Sequence, residues 1–175
     1  MRIVAESPDH PEVRALLAEH LEEMLRTSPA ESVHALDLDR LKQPDVTFWT
    51  AREPGSLLGC GALKQLSATS GEIKSMRTAG GARRRGVAGA ILGEIVREAG
   101  TRGYRSLFLE TGSQDFFAPA RRLYRAHGFT EAEPFADYSA DPHSVFMALR
   151  LDSNGPVSPA STTHGRTSRN PPAGH

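Results

Sequence analysis

The chain holds one cysteine, Cys60, in 175 residues, so an internal disulfide is excluded. Net charge is missing as well: 21 Lys and Arg face 21 Asp and Glu, which leaves nucleic acid as a main partner without electrostatic support. No apolar run is long enough to span a membrane, so no membrane partner is expected. Met1–Ser7 lacks a cationic stretch followed by an apolar one, and with the scarce cysteine this makes a cytoplasmic location the expectation. Two familiar phosphate loops are absent. The residues after Gly86 are Val87 and Ala88, not the Lys and Ser or Thr of a P-loop, and no three-glycine dinucleotide fingerprint stands near the N-terminus. His20 has no second ligand residue at a metal-binding offset, so no metal is expected and packing is its simpler role.

What is present is ordinary globular composition, 38% hydrophobic and 24% charged, enough for one domain with a sizeable core over residues 1–151. After Asp152 the chain turns to Ser, Thr, Pro, Gly, Asn and His. Residues 152–175 therefore read as a tail, with Ser153–His175 disordered because it has little apolar surface to offset the entropy of ordering.

Patterning predicts a strand at Met1–Ala5, then a helix opened by an Asp9/Glu12 capping box, striped by Val13, Leu16, Leu17, Leu21, Met24 and Leu25, and stopped at Ser28-Pro29. Ser32–Leu41 fits either a short helix or a turn. Val46–Arg52 and Leu57–Lys64 predict an antiparallel hairpin around Pro54-Gly55, with Cys60 as a packing residue inside it. Further strands are expected at Glu72–Thr78, Arg105–Thr111, Phe135–Tyr138 and Ser144–Leu151. Helices are expected from Val87 to about Gly100 or Gly103, and over Pro119–His127 with Gly128 as its left-handed stop.

The most informative segment is Ala82–Leu92, ARRRGVAGAIL, where an arginine-rich glycine turn meets the start of an amphipathic helix. The first turn of a helix has N–H groups without intrahelical partners and a dipole that favours anions, and glycine lets oxygens approach the main chain. Gly86 suits a pyrophosphate. A solvated charge run of Arg83, Arg84 and Arg85 before an ordinary helix explains the same letters.

Two motifs in order carry a resemblance. Arg83-Arg84-Arg85-Gly86-Val87-Ala88 is similar to the Gln/Arg-x-x-Gly-x-Gly/Ala signature of the GNAT superfamily of acetyl-CoA-dependent N-acetyltransferases, and Ala120–Phe129, ARRLYRAHGF, is similar to that superfamily's A-x-x-L-Y-x-x-x-G-F helix end. The longer phrases LETGS (Leu109–Ser113), FAPARRLY (Phe117–Tyr124) and PFADYSADPHSVFM (Pro134–Met147) resemble a bacterial subgroup of loosely characterised members. The resemblance implies an α/β (α+β) fold: a central mixed, mostly antiparallel sheet flanked by helices, splayed near its middle to admit the pantetheine arm of acetyl-CoA. It implies main-chain contacts to that arm from Met76, Arg77 and Thr78, and pyrophosphate held by N–H groups of Arg84–Ala88, with charge added by Arg83, Arg84 or Arg85. Many relatives carry asparagine seven residues before the tyrosine; this chain has Phe117, which leaves Ser113 or Gln114 to supply the missing hydrogen bond.

Acetylation of an amine needs a base for the ammonium proton and a donor for the departing thiolate. The resemblance implies Tyr124 as donor. Glu72, eleven residues ahead of Arg83, and Glu110, in an apolar strand, compete as base. Expected acceptor contacts come from Leu25–Leu41 and Tyr138–Ser144, with His34, Arg77 and Tyr138 named among them; Arg77 and Lys74 suit a carboxylate-bearing amine equally as they suit plain solvated charges. The expected activity is acetyl transfer to the primary amine of a small molecule. A protein or peptide acceptor, or a catalytically weak acyl-CoA-binding regulatory module, are the alternatives. Antiparallel edge strands near the C-terminal end make a homodimer plausible.

Overall fold

The computed structural model describes residues 1–30 and 38–151. It begins with β1 (Arg2–Ala5), α1 (Pro11–Thr27) and the one-turn α2 (Leu38–Leu41), followed by β2 (Val46–Glu53), β3 (Ser56–Ser67) and β4 (Ser70–Thr78). A 3-10 turn at Gly80–Ala82 precedes α3 (Val87–Thr101) and β5 (Ser106–Gly112), and another at Asp115–Phe117 leads into α4 (Ala118–Ala126), β6 (Thr130–Ala132) and β7 (Ser144–Arg150). The seven strands form one sheet in the order β1-β2-β3-β4-β5-β7-β6, antiparallel throughout except for β4 against β5. This is the expected mixed, mostly antiparallel α/β sheet. The tail expected at 152–175, and residues 31–37 with His34, lie outside the described residues.

Two expectations need correction. The start of α1 is not a capping box: His10 is the N-cap with no side-chain bond, Pro11 occupies the first turn, where its missing N–H costs nothing, and Glu12 pairs with Arg52 instead. Phe135–Tyr138 is a turn rather than a strand. Tyr138 N–H donates to Phe135 O at 3.0 Å and Ala136 is left-handed at φ 50°, which puts both rings on one side, 5.0 Å apart, where a strand would have put them on opposite faces. The strand before β7 is Thr130–Ala132, immediately after Gly128 (φ 93°) ends α4.

Helices cover both faces. Val87, Ile91, Leu92 and Ile95 of α3 pack with Leu63, Ile73, Leu107, Leu109 and Met147, joined by Tyr124 and Phe129. On the opposite face Val13, Leu16 and Leu17 of α1, with Leu41, cover Phe48, Cys60 and Ala62. Cys60 is fully buried, and burial pushes its thiol up to about 12, which fits packing rather than nucleophilic use.

The sheet opens at its centre. β4 and β5 pair only from Ser70↔Ser106 to Ile73↔Leu109, yet β4 continues to Thr78 and β5 to Gly112. Opposite β3, Cys60 pairs Arg77 and Ala62 pairs Lys74, so Ser75 and Met76 together face Gly61: a β-bulge, with Ser75 at φ 57°. Glycine at 59 and 61 lets α3 settle on this bent region. A Cβ on Gly59 would stand 2.7 Å from the main-chain oxygen of Arg77 and 2.9 Å from Val87 Cγ1. Gly59→Ala should therefore destabilise the fold by about 1–3 kcal/mol, seen as a lower urea midpoint with an unchanged m-value.

Candidate active site

Where β4 and β5 part, side chains from both faces of the sheet meet in one cleft. β4 supplies Glu72, Lys74 and Met76, β5 supplies Glu110, α4 supplies Tyr124, and the turn before β7 supplies Tyr138; His20 and Met24 of α1, with its C-cap Ser28, form the opposite wall. Glu72 stands level with Phe108, and Glu110 follows two residues later on the same face, the first position past the last β4–β5 pair. The structure thus brings both candidate bases into one cleft. It does not set them apart by position.

Glu72 is buried, 3% exposed, and accounts for its charge locally. The Tyr138 hydroxyl donates to Glu72 Oε2 at 2.7 Å, while Lys74 Nζ lies 3.4 Å from the same oxygen and 3.5 Å from Tyr138 Oη. The Tyr138 ring is held by Phe135 and by Phe146 at 5.6 Å. Burial, then the charge of Glu72 and its hydrogen bond, push the Tyr138 phenol above the usual tyrosine range, so it stays a donor at neutral pH. Tyr124 reaches the cleft from the other face, its ring edge-on to Phe129 at 5.8 Å. Burial, with Glu110 adding to it, raises its phenol likewise, and among the described residues no hydrogen bond takes up its hydroxyl.

At the far end of the opening lies the arginine turn. Gly86 is the left-handed N-cap of α3 at φ 77°, and Ala90 N–H is the first to find its helical acceptor, on Gly86 O at 3.0 Å. The N–H groups of Val87, Ala88 and Gly89 thus precede the helical ladder. Arg84, itself at φ 63°, is exposed and without an ion pair among the described residues; Arg85 pairs with Glu53 at 2.6 Å and Arg83 lies 3.8 Å from Glu23. Between turn and cleft, Lys74–Thr78 has β3 on one side and no strand on the other.

A model of the acetyltransferase (GNAT) family matches residues 12–129. The chain belongs to this family. It is 54% identical over 140 residues, 80% of this chain and 93% of the relative, to the uncharacterized N-acetyltransferase YsnE of Bacillus subtilis, and 52% identical over 145 residues, 83% and 91%, to the uncharacterized N-acetyltransferase YedL of Escherichia coli. Its fold matches that of a GNAT family acetyltransferase from Elizabethkingia anophelis solved with acetyl-CoA bound, with a TM-score of 0.62, 17% identity, and 86% and 97% of the two chains covered. The protein is an acetyltransferase, and the acetyl donor of its family is acetyl-CoA.

Other expected site residues of this GNAT acetyltransferase sit as follows. The Arg77 guanidinium turns away from the cleft into α1, on Glu23 Oε2 at 2.5 Å and Glu19 Oε1 at 3.2 Å. Its hydrogen bond holds the Glu23 carboxyl below the usual carboxylate range despite burial. Ser113 Oγ donates to Pro142 O at 2.8 Å, and Gln114 Nε2 lies 3.3 Å from His143 Nδ1, so both tie the end of β5 to the loop ahead of β7. Phe117 lines the cleft and packs edge-on to Phe116 at 4.9 Å.

His20, a packing residue in the sequence reading, is half-buried and lines the cleft, and its buried Nδ1 has no hydrogen-bond partner among the described residues. The sequence carried a partial signal in its place at the edge of the α1 stripe, four residues from both Leu16 and Met24. Burial, with Arg77 adding to it and Glu23 opposing, pulls the imidazole down to about 4 from 6.5. Protons then bind the unfolded chain preferentially between about pH 6.5 and pH 4, and stability falls as pH falls through that window. From pH 7 to pH 5 the wild type should lose about 2 kcal/mol more unfolding free energy than His20→Gln, measured by urea denaturation at the two pH values.

Proposed function

We propose that the protein transfers the acetyl group of acetyl-CoA to the primary amine of a small molecule by direct attack, with Glu72 as base and Tyr124 as proton donor. The observation that carries this is the convergence of a buried carboxylate and a buried, still protonated phenol on one opening in the sheet. Binding acetyl-CoA there presents a thioester whose carbonyl carbon accepts the nucleophile. The donors available along the opening fit such a group. The free edge of Lys74–Thr78 suits the amide-bearing pantetheine arm, and the first-turn N–H groups of Val87, Ala88 and Gly89, with Arg84 beside them, suit a pyrophosphate. Gly86, left-handed and with open space over its Cα, lets anionic oxygens approach the main chain.

The proton balance assigns a role to each group. Tyr138 and Lys74 both engage Oε2 of Glu72, which fixes the carboxylate and leaves Oε1 for the ammonium proton of the acceptor. As the amine nitrogen bonds to the carbonyl carbon and the carbon–sulfur bond breaks, the electron pair leaves on sulfur; Tyr124 Oη supplies the proton that makes the thiol, and the second proton that the nitrogen sheds in becoming the amide restores the phenol. The phenol kept neutral by burial is suited to that transfer. Glu110, in the same cleft, is the competing base.

Thiol release across a panel of primary amines tests this. Glu72→Gln and Tyr124→Phe should each lower kcat by about 10²–10⁴-fold while acetyl-CoA affinity, titrated calorimetrically, is kept. A loss confined to Glu110→Gln transfers the base to Glu110. Unchanged turnover in all three variants sinks the assignment.

A further inference from the structure

Lysine is scarce in this chain: of its 21 Lys and Arg, only Lys42, Lys64 and Lys74 are lysine. Lys74 is the one side-chain primary amine that lines the cleft among the described residues. It stands two residues after Glu72 on β4, so both side chains leave the strand on the same face. Its Nζ lies 3.4 Å from Glu72 Oε2 and 3.5 Å from Tyr138 Oη, the long end of hydrogen bonding, and the side chain is 29% exposed. The ammonium therefore rests beside the proposed base without being locked there, on a flexible stem of methylenes. Glu72 keeps its 2.7 Å bond from Tyr138 as a second, independent partner. Lys42 and Lys64 do not line the cleft, and Lys42 is exposed and ion-paired to Asp9 and Asp39.

An acceptor nitrogen in the reaction proposed above must be a primary amine in the cleft, beside Glu72 and within reach of the thioester carbon. Lys74 meets the first two requirements, and its own main chain begins the free edge of β4 that suits the pantetheine arm. Resting on that acetyl-transfer reading, we infer that Lys74 is itself an acetyl acceptor: when no small amine is present, the enzyme acetylates this residue in its own cleft. Glu72 takes one proton from the Nζ ammonium, the nitrogen bonds to the thioester carbonyl carbon, and the carbon–sulfur bond breaks with its electron pair on sulfur. Tyr124 protonates that sulfur and regains a proton from the nitrogen as the amide forms. The products are free coenzyme A and an uncharged acetyl-lysine, which occupies the cleft and removes the cation beside Glu72.

The full chain incubated with acetyl-CoA and no amine tests this by intact mass and by mapping of the acetylated peptide. One acetyl group, about 42 Da, should be gained at Lys74. Its initial rate should be at least about ten-fold above those at Lys42 and Lys64, which report uncatalysed acetylation in the same sample. The rate per molecule should not change with protein concentration. Excess coenzyme A, competing for the donor site, should slow acetylation of Lys74 but not of Lys42 or Lys64, and Lys74→Arg should take up no fast acetyl group. Lys74 modified no faster than the other two lysines, or at a rate that coenzyme A leaves unmoved, overturns the inference; turnover of panel amines by the same sample then leaves the acetyl-transfer reading standing. A rate per molecule that rises with protein concentration overturns acetylation within the molecule's own cleft. Lys74 unmodified and no panel amine turned over overturns both readings.

Discussion

The structure depends on the end of hydrogen bonding between β4 and β5 after Ile73 and Leu109. A parallel pair that kept its ladder would close the sheet beyond Ile73 and Leu109 and take up the free edge of Lys74–Thr78. The bulge at Ser75–Met76 lies where that ladder would continue: two residues opposite one bend β4 and raise its twist, and the left-handed Ser75 is a local strain tolerated where the surrounding packing fixes it. Gly59 and Gly61 on β3 then accept α3 against the bent strand, so the same irregularity that opens the site also seats the helix whose N-terminus lies at its far end.

Ionic contacts hold the walls of this opening in register. Arg77 leaves β4 for α1, and its charge is balanced there by Glu19 and Glu23, a buried cation with two acceptors. Such an arrangement is weak evidence for net stability, since desolvation offsets much of the attraction, but it fixes where α1 lies. That placement puts His20, Met24 and Ser28 across from Glu72. On the other side, the aromatic contacts among Phe108, Phe135, Tyr138 and Phe146 hold a turn whose last residue reaches the carboxylate.

Most of this frame was legible in the sequence because it is encoded locally. The Pro54-Gly55 hairpin, the α3 stripe from Val87, the Gly128 stop and the arginine turn each follow from short-range patterning or a short motif. The sequence drew attention to Tyr138 but not to its partner Glu72, 66 residues away, because no local period encodes that contact. The turn at Phe135–Tyr138 was mistaken for a strand for a related reason: two β-favouring aromatics close together look extended, and only the rings that Phe135 meets on β5 and β7 choose otherwise. The role of Arg77 was equally hidden. Its position on β4 offered its charge to the cleft, and tertiary contact with α1 redirected it.

Glu23 serves two masters: it accepts from Arg77 inside the fold and lies 3.8 Å from Arg83 at the turn ahead of α3. One carboxylate is therefore the counterion both for the wall of the cleft and for the edge of the arginine turn. The two ends of the opening share a charge, and a shift of α1 against the sheet alters the electrostatic potential at both ends together.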